Sequence, residues 1–393
     1  MQNLTKTIKL RLYANSEQAV MFKQMSEQYR QACNFVSQYI FDNDFELNSV
    51  KLNKVLYREV RSEFSLKSQL AQSAFRTATA RYKTTQTQLA QKHKTLEWLF
   101  KPVLFHRPQC DLVRDRDYSF VENGTTLSIN TLDKRVKVKF AGDFWAEYLD
   151  GSWNLGTAKL LNLKGIWYLH IPVTKNFEEF NKEKIQHVVG IDRGLRFLAV
   201  TYDEHGKTGF TRGKQLLGKR HKFLKVRQQL QAKGTKSAKR VLARLSGREN
   251  RWMSDVNHCL SKTLVEKYGS NTLFVLEDLT GISFEESNLN RGSKANNDLR
   301  SWAFYQLEQF LAYKARENCS EVLKVSARYT SQRCPKCGNI NKANRHHHTH
   351  EYICQCGYRS NDDRIGAMNI QLLGTLWISG EDKPHFEKIT ILG

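Results

Sequence analysis

Three acidic residues each stand at the boundary of a predicted regular element. Asp192 ends an apolar run in Gly-Ile-Asp-Arg-Gly, Glu277 ends another in Leu-Glu-Asp-Leu, and Asp363 begins a helical stretch. Two divalent cations held about 4 Å apart can stabilise both the attacking and the leaving oxygen of a phosphodiester displacement. Magnesium prefers hard oxygen ligands, which carboxylates supply. The three acids therefore predict a catalytic site that binds Mg²⁺ or Mn²⁺ and cuts phosphodiester bonds.

Each acid also has an ordinary structural explanation. An Asp between a strand and a Gly is often a turn residue, and an Asp before a helix is often its N-cap. The neighbouring acids Asp278 and Asp362 are alternative ligands. The joint occurrence of three acids, in this order and on these elements, favours the catalytic interpretation.

A cluster of four cysteines lies just before Asp363 and indicates a second metal site. The segments Cys334-Pro-Lys-Cys337-Gly and Cys354-Gln-Cys356-Gly resemble the two halves of a zinc ribbon. The second half is one residue shorter than the usual spacing, so a histidine could replace one thiolate. The candidate histidines are His346, His347, His348 and His350. The other cysteines, scattered among apolar neighbours, are predicted to be buried free thiols in a reducing compartment.

The charge of the chain predicts a polyanionic partner. Lys and Arg number 62 against 39 Asp and Glu, for a net charge of +23. Residues 212–251 hold fourteen Lys and Arg but only one acid, Glu249, and such a one-signed segment favours contact with phosphates. The sequence shows no apolar run of about 18 residues and no signal peptide. We therefore expect a cytoplasmic, nucleoid-associated protein that binds nucleic acid, with no membrane partner and no small-molecule cofactor.

Two segments supply the candidate nucleic-acid contacts. One is a polar helical segment in the N-terminal half, whose side chains could read base edges or could equally form a solvated helix face. The other is the basic region and the helix that continues it. The predicted contact residues are Gln69, Gln72, Ser73, Arg76, Lys219, Arg220, Lys225, Arg227, Arg248, Arg251, Asn257 and His258.

The N-terminal half reads as a small β-barrel interrupted by helices. Residues 5–12 alternate as a half-buried strand does. Asn15 and Gln18 then form a capping box for a helical region that continues to about Lys94. Short strands and tight turns follow over residues 103–173, with hairpin signals at Asn123-Gly124 and Lys164-Gly165.

The C-terminal half reads as an RNase H-like fold. Three strands in a meander (187–191, 197–202 and 208–211) precede a basic helical region over 213–267. A strand at 273–276, a helix around 302–318, a strand at 322–325 and a last helix follow. Such a nuclease takes its acids from the first strand, the fourth strand and a late helix. The polar stretch 285–298 is expected to be a mobile loop.

Lined up in this way, the chain resembles the transposon-encoded TnpB family, the compact RNA-guided DNA nucleases similar to type V CRISPR effectors. The motifs are Gly-Ile-Asp192-Arg-Gly, Leu-Glu277-Asp-Leu, Tyr329-Thr-Ser-Gln before the cysteines, and Asp363-Arg-Ile-Gly-Ala-Met-Asn. Arg248-Glu-Asn-Arg-Trp through Asn257-His258 also fits the central helix of the family. In the third motif Asn361 replaces an Asp, and Ile365-Gly366 replace Asn-Ala.

The resemblance implies a multidomain α/β protein. Residues 1–14 and 100–183 would form a β-barrel wedge domain, with 15–99 as an inserted helical recognition lobe. Residues 184–332 and 358–393 would form the RuvC nuclease domain, with the zinc ribbon at 333–357.

The resemblance further implies a function and two partners. A guide RNA and double-stranded target DNA would be the partners, with cutting next to a short flanking motif, in association with a transposable element. The alternatives are a catalytically silent RNA-guided DNA-binding repressor and an RNA-independent transposase or resolvase.

Overall fold

The computed structural model describes residues 1–91, 100–141, 146–194, 196–279, 304–346 and 348–388. The chain divides into two units, residues 3–176 and residues 177–393 together with residues 1–2. Stretch 285–298, predicted to be a mobile loop, lies outside the described residues. In the described ranges, no helix combines the length and apolar character that crossing a membrane requires.

Three helices in the first unit replace the single helical region that we predicted. They are α1 (Ser16–Asp42), α2 (Ser49–Glu63) and α3 (Ser68–Ala90). The capping box of Asn15 and Gln18 is present at the start of α1, as predicted. Asp44, Phe45 and Ser65 have positive φ between the helices. None of them is Gly or Pro, so the sequence carries no strong signal for these breaks.

The strands of the first unit form two sheets. Their bounds are β1 (Gln2–Arg11), β2 (Gln109–Leu112), β3 (Tyr118–Val121), β4 (Thr126–Asn130), β5 (Arg135–Lys139), β6 (Asn154–Leu155), β7 (Ala158–Leu163) and β8 (Ile166–Phe177). One sheet has the order β1-β8-β7-β2, with β6 also paired to β8, and the other is β3-β4-β5. The two predicted hairpins are present, because β3 pairs with β4 and β7 with β8 in antiparallel register.

The β-barrel that we predicted from the sequence is wrong. Within the described ranges the strands form no closed barrel, because β1 and β2 remain the unpaired edges of their sheet. The isolated bridge between Leu12 and Phe140 links the ends of β1 and β5, and it does not extend into a ladder. The helices pack on the first sheet: the rings of Phe22 and Trp167 lie 5.5 Å apart, and Thr77 Oγ1 donates to Asp111 Oδ2 at 2.6 Å.

The second unit is built on a five-stranded mixed sheet of order β11-β10-β9-β12-β13. The strands are β9 (His187–Asp192), β10 (Phe197–Tyr202), β11 (Thr208–Arg212), β12 (Thr272–Asp278) and β13 (Glu321–Ser326). Its helices are α4 (Lys214–Lys233), α5 (Lys236–Tyr268), α6 (Phe304–Glu317) and α7 (Asp362–Ile378). A small sheet of β14 (Arg345–His346), β15 (Glu351–Ile353) and β16 (Arg359–Asn361) precedes α7.

This order of strands and helices agrees with the sequence prediction, with one difference. The basic helical region is two helices, because Gly234 adopts a left-handed φ of 62° at the end of α4. β9 pairs parallel with β12 and antiparallel with β10.

Helices cover both faces of the sheet. Val189, Ile191, Phe274 and Leu276 face the core shared with α5 and α6, whereas Val188 and Val275 face Ile370 and Leu373 of α7.

Candidate carboxylate and cysteine sites

Asp192 and Glu277 lie side by side on adjacent parallel strands. β9 and β12 pair Ile191 with Leu276, so the next residues, Asp192 and Glu277, are neighbours in register. Side chains alternate between the faces of a strand. The face of Asp192 and Glu277 is therefore that of Val188, Gly190 and Val275, which α7 covers.

Two glycines allow α7 to approach this face closely. A Cβ at Gly190 would lie 2.2 Å from the carbonyl oxygen of Ala367, and a Cβ at Gly366 would lie 2.9 Å from Asp192 Oδ2. The first turn of α7, which carries Asp363, therefore lies against the Asp192 carboxylate. All three predicted acids come together here, although they are far apart in the sequence.

The electrostatics of this cluster favour a bound cation. Burial, followed by the charges of Glu277 and Asp363, raises the pKa of Asp192 well above its usual range. Burial also raises the pKa of Glu277, and burial together with the charge of Asp362 raises that of Asp363. A cation would offset this repulsion between carboxylates.

The three acids are not close enough together to be grouped as the ligands of one ion. Among the described residues, one ligand atom from each of His350, Asp362 and Asp363 lies within 4.8 Å of the other two, whereas Asp192, Glu277 and Asp363 do not form such a group. Sites that hold two cations about 4 Å apart use carboxylates that are spread more widely than the ligands of a single ion.

Two residues that sequence reasoning did not assign to the site hold Glu277 in place. Thr330 Oγ1 donates to a carboxylate oxygen of Glu277. The buried Arg193 donates from Nη2 to the Glu277 carbonyl oxygen at 2.6 Å and from Nη1 to Glu308 Oε2 at 3.3 Å. Thr330 lies in the motif Tyr329-Thr-Ser-Gln, and Arg193 lies in Gly-Ile-Asp-Arg-Gly. Their place in these motifs was the sequence feature that could have pointed to them.

Asp362 and Asp363 differ in burial and in how closely Arg345 pairs with them. Asp362 is buried, and Arg345 Nε donates to its Oδ2 at 3.0 Å. The N-cap of α7 is neither of these two residues but Asn361, whose side chain accepts from the backbone N–H groups of Asp363 and Arg364.

The other alternative ligand, Asp278, lies on the opposite face of β12 from Glu277. Its Oδ1 is 3.8 Å from Lys324 Nζ, and its side chain is 42% exposed. It therefore does not share the face on which the three acids meet.

The four clustered cysteines have the arrangement of a tetrahedral metal site. Their Sγ atoms all lie within 4.8 Å of one another. Cys334 and Cys356 are 3.7 Å apart and Cys337 and Cys354 are 3.6 Å apart. Zinc–thiolate bonds of about 2.3 Å give tetrahedral S–S distances of about 3.8 Å, so the residues fit zinc.

The short spacing of the second pair does not prevent this convergence. A backbone hydrogen bond from Gly357 to the Cys354 carbonyl, of 2.9 Å, turns the chain between the two thiols. A backbone hydrogen bond from Tyr358 also lowers the pKa of Cys356 to about 7, which favours the thiolate. Of the alternative histidines, His350 lies 3.6 Å from Asp362 Oδ1, and His347 lies outside the described residues.

Two models of known protein families match this chain, and each covers a different part of the candidate sites. A family model described as "Probable transposase" matches residues 170–281, the segment that carries Asp192 and Glu277. A second, described as "Cas12f1-like, TNB domain", matches residues 304–370, which carry the cysteines and Asp363.

Two curated relatives show how far the similarity extends. The chain is 28% identical over 242 residues to the CRISPR-associated endodeoxyribonuclease Cas12f1 of Sulfoacidibacillus thermotolerans, covering 57% of this chain and 54% of that protein. It is 30% identical over 166 residues to a TnpB-like protein of Methanocaldococcus jannaschii, covering 40% and 59%. The chain is similar to TnpB-like and Cas12f1 proteins over part of its length. It spans about half the length of the curated relatives that it matches.

A solved structure agrees at the level of fold. The protein in a Cas12f1–sgRNA–target DNA complex superimposes with a TM-score of 0.61 at 12% identity, covering 94% of this chain and 99% of that one. This likeness supports a mixed α/β architecture shared with the Cas12f1 proteins.

The predicted nucleic-acid contacts fall into two groups by burial. Gln69, Ser73, Arg220 and Asn257 are buried. Gln69 accepts from Arg116, and Asn257 donates to Gln306. These four side chains are turned into the protein, which argues against direct contact with a nucleic acid. Gln72 and Arg227 are half-buried, and the exposed candidates are Arg76, Lys219, Lys225, Arg248, Arg251 and His258.

Burial also explains the one acid in the basic region. Glu249 is buried, and it forms an ion pair with Arg227. Its negative charge is therefore neutralised between α4 and α5. The outer surface of these two helices carries positive charge with no exposed acid from residues 212–251.

Proposed function

We propose that this protein is an RNA-guided DNA endonuclease with a metal-dependent, RuvC-type site at Asp192, Glu277 and Asp363. One observation carries the proposal. Two partly buried carboxylates are neighbours on parallel strands, and a third is brought against them by the first turn of a helix that two glycines admit. Such a concentration of raised carboxyl pKa values has little structural benefit without a cation.

In this proposal, the three carboxylates hold Mg²⁺ or Mn²⁺, which supplies charge stabilisation to the attacking and leaving oxygens of the phosphodiester when bound. Thr330 and Arg193 fix the side chain and the backbone of Glu277, so that one ligand oxygen keeps its orientation. Arg345 donates to Asp362 at 3.0 Å and lies 3.5 Å from Asp363, so Asp362 is the more closely paired of the two and Asp363 is our proposed third ligand.

The cysteine cluster acts as a structural zinc site held by Cys334, Cys337, Cys354 and Cys356. Its segment reaches the carboxylate site through hydrogen bonds. Tyr352 Oη donates to the Gln332 carbonyl at 3.0 Å, two residues from Thr330. Arg345, from the same segment, contacts Asp362 and Asp363. Zinc would therefore order the residues around two of the three acids.

The partners that we propose are a guide RNA and double-stranded target DNA, with nucleoid association as a consequence. The exposed cations of α4 and α5 are suited to phosphate contacts. The similar Cas12f1 protein is named an endodeoxyribonuclease, and the superimposed structure holds an sgRNA and target DNA. Because of the similarity to TnpB-like proteins and to the "Probable transposase" family model, we also propose association with a transposable element and cutting beside a short flanking motif.

The test begins with the RNA that purifies with the protein. We expect one RNA species of uniform length, whose terminal segment can be replaced to match a chosen plasmid. With Mg²⁺, the wild-type complex should cut only the matched plasmid, and the Asp192→Ala complex should bind the same plasmid without cutting it.

The outcomes separate the rival functions. Sequence-independent cutting or strand transfer without RNA would identify a transposase or resolvase. Binding of the matched plasmid with no cutting in either Mg²⁺ or Mn²⁺ would identify a silent repressor. Each result would overturn the proposal.

A further inference from the structure

A third group of metal-type ligands lies at the end of the central sheet opposite to the carboxylates. His187 is the first residue of β9, and Asp192 is its last. Glu204 and His205 lie in the turn between β10 and β11. One ligand atom from each of His187, Glu204 and His205 lies within 4.8 Å of the other two.

The strand register brings these residues together. β9 and β10 are antiparallel and pair Gly190 with Tyr202. His187, three residues before Gly190, therefore comes level with His205, three residues after Tyr202. The turn itself is held by Asp203, which is buried and whose Oδ1 accepts from the backbone N–H groups of His205 at 3.1 Å and Lys207 at 2.9 Å. The histidines therefore stand on ordered backbone.

The Glu204 carboxylate is oriented before any ligand arrives. Its Oε2 accepts from the backbone N–H of Val188 at 3.0 Å. Its Oε1 contacts His187 Nδ1 and lies 3.2 Å from His205 Nε2. One imidazole nitrogen from β9 and one from the β10–β11 turn thus converge on one carboxylate oxygen. An ion pair with Glu204 would need only one of the two histidines. A metal ion would use both histidines and the carboxylate, which explains why all three side chains converge.

We infer that His187, Glu204 and His205 form a binding site for a divalent transition-metal ion such as Zn²⁺. Imidazole nitrogen suits borderline ions such as zinc, whereas magnesium prefers oxygen. Three protein ligands leave a coordination position for water, in keeping with the partial exposure of the group. The ion would clamp the start of β9 to the β10–β11 turn, away from the carboxylate site.

The test is a zinc titration of tag-free, full-length protein that already holds one zinc at its cysteines. Calorimetry with ZnCl₂ should report one further ion per chain. The double variant His187→Gln/His205→Gln should lose this event or bind at least about tenfold more weakly. The matched control His346→Gln/His348→Gln, which changes two exposed histidines of the cysteine segment, should titrate as wild type.

A second measurement guards against a folding defect in the variant. Added Zn²⁺ should raise the thermal midpoint of wild-type protein and of the control, because an ion that binds only the folded state stabilises it. It should leave the midpoint of the His187/His205 variant unchanged. The inference is overturned if wild type takes up no second ion, or if the control loses the second ion and the His187/His205 variant keeps it.

Discussion

The carboxylate site and the cysteine site lie in the same unit but are assembled in different ways. The four thiols come from residues 334–356, and two short turns bring their Sγ atoms to 3.6 and 3.7 Å. The three acids come from β9, β12 and α7, and their burial raises the pKa of each. The cysteine site thus depends on local chain geometry. The carboxylate site depends on long-range packing, which buries three acids whose negative charges repel one another.

If this comparison is right, the two sites can be disabled separately. A change to a carboxylate should remove chemistry and leave zinc in place. A change to a cysteine should remove zinc and weaken the support of Asp363.

The largest effect is expected from Asp192→Ala and Glu277→Ala. Each removes a ligand for cations that contribute several kcal/mol to the transition state, which corresponds to about a thousandfold or more in rate. We expect guide-directed plasmid cutting to fall below detection while the zinc content stays at one per chain by elemental analysis. Undiminished cutting by either variant would show that the site lies elsewhere.

The isosteric change Asp192→Asn sharpens this prediction. It removes one charge from a buried cluster that repels itself, so in EDTA its thermal midpoint should exceed that of wild type. A lower midpoint in EDTA would show that the acids do not oppose folding, and the contrast between the two sites would fail.

The pair Asp363→Ala and Asp362→Ala should separate catalysis from stability. Asp363→Ala should abolish cutting with DNA binding intact. Asp362→Ala should cost about 1.5–3 kcal/mol of folding free energy, because it removes the buried carboxylate that is the closer of the two partners of Arg345. Measurable cutting should remain in Asp362→Ala at a temperature where it is folded. The reverse pattern in denaturation and cleavage assays would make Asp362 the metal ligand.

A smaller effect on cutting is expected from Cys334→Ser. Zinc should be lost, since a structural site contributes its binding energy to folding, and the thermal midpoint should fall. Because the segment supplies none of the three acids and reaches them through neighbours such as Arg345, His350 and Gln332, we expect cutting to fall by about tenfold and not to vanish. Full zinc content in this variant would contradict the four-cysteine site.

The smallest effect is expected from Asp278→Asn. Asp278 pairs with Lys324 across a partly exposed gap of 3.8 Å, and such pairs contribute about 0–1 kcal/mol. Stability and cutting should both stay close to wild type in side-by-side melts and plasmid assays. A loss of cutting comparable to that of Glu277→Ala would mean that strand alternation does not select the ligand.

Several local features of the protein were determined by the sequence alone. The capping box at Asn15 and Gln18 and the hairpins at Asn123-Gly124 and Lys164-Gly165 formed as predicted. The four cysteines could be grouped from spacing, and the order of elements in the second unit followed from apolar periodicity. These features depend on residues close together in the chain, where backbone preference and side-chain period act directly.

Other features were decided only by the tertiary structure. Asp44, Phe45 and Ser65 break the helices without Gly or Pro, and the edges of the first sheet stay open where a barrel was expected. Arg220 and Asn257 are turned inward although their sequence context is that of exposed cations and polar groups. Packing decides such outcomes, because a helix face becomes inner or outer only when its neighbours are in place.

The choice between Asp362 and Asp363 is the clearest case. Both residues have the same side chain and stand in the same turn, so the sequence leaves their roles open. Arg345, which comes from the cysteine segment, donates to Asp362 at 3.0 Å and lies 3.5 Å from Asp363, and Gly366 allows α7 to approach Asp192. The sequence supplies the acids, whereas long-range packing decides which side chains they contact, and on that basis Asp363 is our proposed ligand.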